Sequence, residues 1–246
     1  MKKVQTFQKQ SQKAAPSRVS VWQMFNRIAD RYDLLNRLLS FRQDVLWRNR
    51  MAEFLPEGSN LRVLDLASGT ADVPVSLDKK SRQIGLIIAI DRAQKMLSLG
   101  REKVGKKLLR AKVQLFPADA QNLPFRNATF DAVTISFGIR NVLRLDQALR
   151  EMARVLRPGG RVIILEFSLP GNRLFRTVYL FYFRHVLPAL GGWLSGDRKA
   201  YRYLNQSVET FPYGEAFVKH LRKAGFREIQ LKPQTFGIAT IYSGEK

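Results

Sequence analysis

The chain has 246 residues, 45% of them hydrophobic, enough apolar material for one full core, and no cysteine, which excludes disulfides, thiolate metal sites and any cysteine nucleophile. With 42 lysines and arginines against 20 aspartates and glutamates the net charge is +22, which favours polyanionic partners (nucleic acid, anionic headgroups or anionic substrates) without choosing among them. No stretch has the apolar length of a membrane span and the first residues lack a signal-type apolar core, so a cytoplasmic protein is expected.

Residues 1–18 are polar and basic, without apolar periodicity, and read as a mobile arm before a single domain over 19–246. Val21, Met24, Phe25 and Ile28, then Leu34, Leu35, Leu38 and Leu39, then Val45, Leu46, Met51 and Phe54 recur at helical spacing and predict a helical cap over 19–55. Strands over 62–67, 86–91, 113–117, 130–136 and 160–167 alternate with helices over 94–103 and 145–156. That alternation predicts an α/β fold with a doubly wound, mostly parallel sheet. Pro158-Gly159-Gly160 is expected to stop the second helix and open a turn. An aromatic and basic insert fills 170–205, with Tyr179, Phe183, Tyr201 and Tyr203 among its rings. Inserts there lie over the carboxyl ends of the strands, so it reads as a substrate lid, a hairpin that merely packs its rings being the alternative. A helix over 213–224 and two runs over 226–231 and 235–242 then predict an antiparallel last pair, giving seven strands.

The segment from Val63 to Asp72, Val-Leu-Asp-Leu-Ala-Ser-Gly-Thr-Ala-Asp, is an apolar run that breaks into small residues and reopens as a helix, the mark of a nucleotide-type cofactor loop. Gly69 allows close approach to the backbone, and the helix start offers N–H groups near Thr70 and Ala71. The loop lacks the tight glycine pattern that seats a pyrophosphate on a helix N-terminus. Asp65 and Asp72 flank it with negative charge, which repels pyrophosphate and attracts a sulfonium, so S-adenosylmethionine fits better than a nicotinamide cofactor. Asp91 lies 22 residues after Gly69, near the interval of about 20 at which an acidic residue takes ribose hydroxyls. Asp119 and Ala120 follow the third strand, where an adenine would lie, although Asp119 also fits a cap or turn.

Three further segments are more specific: Tyr32-Asp33-Leu34-Leu35-Asn36 leading to Ser40 and Trp47; Ile135-Ser136-Phe137-Gly138-Ile139-Arg140-Asn141-Val142; and Arg154-Val155-Leu156-Arg157-Pro158-Gly159-Gly160 continuing to Glu166-Phe167-Ser168. On these, from about Val21 to the C-terminus, the chain resembles the class I, Rossmann-like S-adenosylmethionine methyltransferases of the ubiquinone/menaquinone biosynthesis C-methyltransferase family. The resemblance implies carbon methylation of a prenylated quinol, for instance demethylmenaquinol to menaquinol. It implies cofactor contacts at Thr70, Asp91, Asp119, Ala120 and Ser136, beside those read above at Asp65 and Gly69, and quinol contacts at Arg140 and Asn141. Ser68 and Ala71 stand where the family usually has glycine and Asp44 where it usually has histidine, departures that point to a weaker cofactor affinity.

A ring carbon beside a quinol oxygen becomes nucleophilic once that oxygen is ionised, which costs about 4 kcal/mol for a phenol at pH 7. Arg140 stays protonated and so serves as an oxyanion holder, directly or through a water, while Asn141 orients the ring; a surface salt bridge is the plain alternative for Arg140. Tyr32, Tyr201 and Tyr203 are candidates for quinol contact or for core packing. His185 is a candidate proton relay or a packed ring, and His220 lies on a polar helix. No metal is expected. The implied partners are a lipophilic quinol and, through the basic face, the surface of an anionic membrane, with no obligate nucleic acid and a homodimer left open. Two rival readings are an RNA methyltransferase, motivated by the charge, and a cofactor-binding protein without catalysis, motivated by Ser68, Ala71 and Asp44.

Overall fold

The computed structural model describes residues 21–109, 111–189 and 198–246. The expected arm and the middle of the insert, Trp193 included, lie outside them. Seven strands form one sheet: β1 Leu61–Leu66, β2 Ile84–Asp91, β3 Val113–Pro117, β4 Phe130–Ser136, β5 Leu156–Phe167, β6 Arg227–Gln234 and β7 Ala239–Glu245. Their order is β3-β2-β1-β4-β5-β7-β6. The pairs among β1 to β5 are parallel, and β7 runs antiparallel to both its neighbours. The chain winds outward from β1 to β3 and returns to β4, so the direction of winding switches between β1 and β4, where open sheets hold their ligands at the carboxyl ends of the strands.

Both faces of the sheet are covered, and the strands are accordingly apolar on both sides. On one face Val63, Ile87 and Ile163 pack with Leu77 of α3 (Asp72–Lys80), Leu97 of α4 (Gln94–Lys106) and Trp47 of α2 (Gln43–Arg50). On the other, Leu64, Leu66 and Val133 pack with Met152 of α5 (Leu145–Val155) and Phe217 of α8 (Glu215–Lys223). The long first helix, α1 (Val21–Leu39), lies over the carboxyl ends of the strands beside α6 (Arg173–Phe181) and α7 (Arg198–Thr210).

Three expectations are corrected. Pro158-Gly159-Gly160 does not form a turn between elements: α5 ends at Val155 and the triplet belongs to β5, where pairing with β4 slips between Phe130 and Ala132 and Gly159 takes φ 76°. The run over 235–242 begins as a 3-10 turn, Thr235–Gly237, and becomes strand only from Ala239. The third piece of the cap splits into α2 and a 3-10 turn, Met51–Phe54.

Candidate active site

The loop after β1 is held in a tight coil, with Ala67, Gly69 and Ala71 at φ 49°, 56° and 64°. That coil turns backbone donors toward β2. The Gly69 N–H donates to Asp91 Oδ2 at 2.9 Å and the Ser68 N–H to the Ile90 carbonyl at 3.0 Å. Asp91 also accepts from the Ala93 N–H at 2.7 Å, and burial pushes its carboxyl pKa upward against these donors. One acidic side chain therefore ties two loops together at the rim of a cavity of about 340 Å³, which Gly69, Asp91, Asp119, Ala120, Ser136 and Asn141 help to line. The Ser136 hydroxyl oxygen is buried there without a hydrogen-bond partner among the described residues.

A second cavity, of about 270 Å³, adjoins it, with Phe25, Tyr32 and Phe137 lining both. Its wall is mostly aliphatic and aromatic, from α1, α2, α6 and α7, with Arg140 and Arg48 as its cations. Arg140 is buried: its Nη1 donates to Glu166 Oε1 at 2.7 Å and to the Phe137 carbonyl at 2.6 Å, and its Nε to Ser207 Oγ at 3.4 Å. The guanidinium lies 5.3 Å over the Phe167 ring. Those bonds engage Nε and Nη1 and leave Nη2 without a hydrogen bond among the described residues. Arg48 lies 5.3 Å over the Phe137 ring and donates from Nη1 to Asp44 Oδ2 at 2.6 Å. Asp44 further accepts from Arg37 at 2.8 Å and from the Ser40 hydroxyl at 2.8 Å.

A profile of the ubiE/COQ5 methyltransferase family matches residues 9–246. The chain belongs to the ubiE/COQ5 methyltransferase family. Among its relatives, a ubiquinone/menaquinone biosynthesis C-methyltransferase of Geobacter sulfurreducens is 47% identical over 223 residues, covering 91% of this chain and 87% of that protein. A demethylmenaquinone methyltransferase of Thermus thermophilus is 46% identical over 224 residues, 91% of this chain and all of that one. A solved structure of an S-adenosylmethionine-dependent methyltransferase from Thermotoga maritima has the same fold, with TM-score 0.63 and 20% identity over 92% of this chain and 99% of that one. The chain is thus a family member that uses S-adenosylmethionine.

The first cavity fits that cofactor by its chemistry. A carboxylate at Asp91 suits a ribose diol, the Asp119 carboxylate an exocyclic amine, and the lone Ser136 hydroxyl a polar ligand atom, while Ala118, Ala120 and Met96 give an apolar bed for a base. Asp119 is steadied by the Gln121 N–H at 2.9 Å and by Arg92 at 3.3 Å.

Asp65 and Thr70 do not line this cavity. Thr70 donates to Asp33 Oδ1 at 2.6 Å and accepts from Lys103 at 3.0 Å, so it fastens α1 and α4 to the loop. The electrostatic role expected of Asp65 and Asp72 is corrected. Asp72 has Arg48 at 3.7 Å, Lys103 at 2.7 Å and Arg37 at 2.8 Å, and these cations, Arg48 foremost, hold its pKa at about 2 against the upward push of burial and cancel its charge. Asp65 is fully buried on β1, where desolvation raises its pKa to about 7 against the Thr134 hydroxyl bond of 2.6 Å. The acidic side chains that line the cavity are Asp91 and Asp119 instead.

Asp65 makes a pH prediction. Its folded pKa of about 7 exceeds the unfolded 3.8, so its protonation favours the native state and that stability is lost as pH rises from 3.8 to about 7. Asp65→Asn keeps an acceptor for Thr134 and cannot ionise. Thermal denaturation should show the variant gaining on the parent chain steadily from acid toward neutral pH; parallel curves would mean that Asp65 does not carry the charge.

Arg140 and Asn141 part company: Arg140 lines the apolar cavity and Asn141 the cofactor cavity, where its Oδ1 accepts from the Tyr203 hydroxyl at 3.0 Å. Tyr32 lies on the shared wall, with its phenol pKa raised by burial, and Tyr201 and Tyr203 line the apolar cavity from α7. His185 is exposed, its ring tilted against Phe181 at 5.2 Å, and His220 pairs with Asp146 at 2.6 Å; neither lines either of the two cavities. Sequence reasoning missed Arg48 and the linkage of Asp44 to it. Their i,i+4 spacing on a short helix was the available signal.

Proposed function

We propose that this chain transfers a methyl group to a ring carbon of a prenylated quinol, demethylmenaquinol being the substrate that fits best. The observation that carries this is the apolar cavity joined to the cofactor cavity through Phe25, Tyr32 and Phe137, with a buried arginine offering Nη2 to whatever fills it. A fused aromatic ring suits walls of Trp47, Phe137 and Phe167, and a quinol oxygen suits the Arg140 guanidinium.

S-adenosylmethionine supplies an electrophilic methyl group. The work of the protein is to ionise and aim the nucleophile. Ionising the quinol hydroxyl costs about 4 kcal/mol at neutral pH. One charge-assisted hydrogen bond returns about 1.5–3 kcal/mol. Arg140 alone falls short, because Glu166 already balances its charge; Arg48, over the Phe137 ring and paired with Asp44, adds a second guanidinium to the same cavity wall. Excluding water strengthens both. Positioning does the rest: Asn141 and the Tyr203 bond to it tie α7 to the cofactor side, so a quinol seated under α7 is held near the methyl donor.

We place the source of this substrate at the surface of an anionic membrane, a reading supported by the +22 charge and the apolarity of the cavity. No helix among the described residues is long and apolar enough to cross a membrane.

The test is label transfer from radiolabelled S-adenosylmethionine to reduced demethylmenaquinol, a reduced benzoquinol precursor and bulk RNA offered in parallel. Label should enter the naphthoquinol first. Label in RNA alone would replace this reading with the nucleic-acid one, and label in none would leave a cofactor-binding protein.

A further inference from the structure

Around the mouth of the apolar cavity the chain exposes Leu38, Phe41, Leu174, Val178, Phe181 and Phe236. Leu174, Val178 and Phe181 recur at i, i+4 and i+7 on α6 and form one solvent-facing stripe. Two loop tips extend it. Phe41 stands against Tyr182, ring centroids 6.5 Å apart, and Phe236 against Phe175 at 5.0 Å. Both tips hold their backbone in the left-handed region, φ 51° and 56°, and leave their rings 77% and 79% exposed. A bulky side chain in that region costs free energy, and one ring contact each with most of the residue left in solvent offsets little of it.

The segments that carry this rim, 34–43, 170–189 and 235–241, contain no aspartate or glutamate. Arg42, Arg173 and Arg176 are exposed among the apolar residues, while Arg184 is occupied by Glu209 at 2.5 Å. An apolar stripe edged by arginines and free of acids matches an anionic bilayer, whose headgroups take the guanidinium groups while the rings enter the acyl boundary. It does not match a second copy of the chain, which would bring the same cations against it.

We propose that this rim is the membrane-inserting face, with the Phe41 and Phe236 tips and the α6 stripe seated in an anionic lipid surface so that the apolar cavity opens onto the acyl region. This rests on the quinol reading only for its purpose. A lipophilic tail enters the cavity past Phe41 and Tyr182 without crossing water.

The test uses the full chain and a triple variant, Leu174→Ser with Phe181→Ser and Phe236→Gly. None of these side chains lines either cavity, and glycine takes φ 56° without a clash. Flotation with phosphatidylcholine vesicles, with and without phosphatidylglycerol, should show binding that needs the anionic lipid and is about tenfold or more weaker in the variant. Melting temperature, cofactor affinity and turnover on a tail-less, water-soluble quinol should be unchanged. Equal flotation of both proteins would move the docking face elsewhere, and no flotation of the parent chain would end the proposal. A dimer in the parent chain that the variant abolishes, seen by light scattering, would assign the rim to self-association. Anionic-lipid flotation without label entering the soluble quinol would overturn the quinol reading and keep the rim.

Discussion

Arg140→Ala is expected to lower kcat by about 10²–10³ while leaving cofactor affinity within about twofold. The side chain lines the quinol cavity and not the cofactor cavity, so its loss falls on the ionised quinol. Stability falls with it, because Glu166 is buried and Nη1 of Arg140 is its ion-pair partner at 2.7 Å. Removing one partner of such a pair costs about 3–5 kcal/mol, so unfolding must be separated from loss of chemistry. Arg140→Met combined with Glu166→Gln removes both charges and should recover most of the melting temperature without recovering turnover. If the double variant regains activity with its fold, Arg140 serves the scaffold and not the reaction.

Asp91→Ala should do the converse, weakening S-adenosylmethionine by about 10² with kcat at saturating cofactor within about threefold, measured by calorimetry and steady-state kinetics. The carboxylate has two tasks. It accepts the Gly69 and Ala93 N–H groups, which holds both loops, and it lines the cavity where a ribose diol would lie. Asp91→Asn keeps one acceptor oxygen and loses the charge, so it should fall between the parent chain and alanine. Unchanged affinity in both variants would place the nucleoside elsewhere.

What the sequence made legible followed from burial and spacing. The strands of a parallel sheet are covered on both faces, so β1, β2 and β4 appear as near-continuous apolar runs, with Asp65 one residue before the end of β1 and Asp91 and Ser136 ending β2 and β4. Asp91 was legible as a loop-end acid by its spacing of 22 residues from Gly69, whereas the bond that Gly69 donates to it was not. The interior of the site was not. Arg140 was legible as an oxyanion holder, but its burial against Glu166, 26 residues away, arises only when β4 and β5 pair. Arg140 and Asn141 are adjacent in sequence, yet they serve different cavities because Ile139–Asn141 is a 3-10 turn, which rotates successive side chains by about 120°. Asp72 next to the loop looked like a free negative charge, and only the fold supplies Arg37 and Lys103 to neutralise it. Contacts set by long-range packing leave no local trace in composition or periodicity.

The arrangement of two joined cavities, one for the nucleoside and one for the ring, is the centre of this account. A crystal structure with S-adenosylhomocysteine and a short-tailed naphthoquinone tests it most directly. The ribose should lie against the Asp91 carboxylate, and a quinone oxygen should lie within hydrogen-bond distance of Arg140 Nη2, with the ring carbon facing the sulfur past Phe137 and Tyr32. A ring bound outside the apolar cavity, or with Arg140 still turned wholly to Glu166, would contradict it.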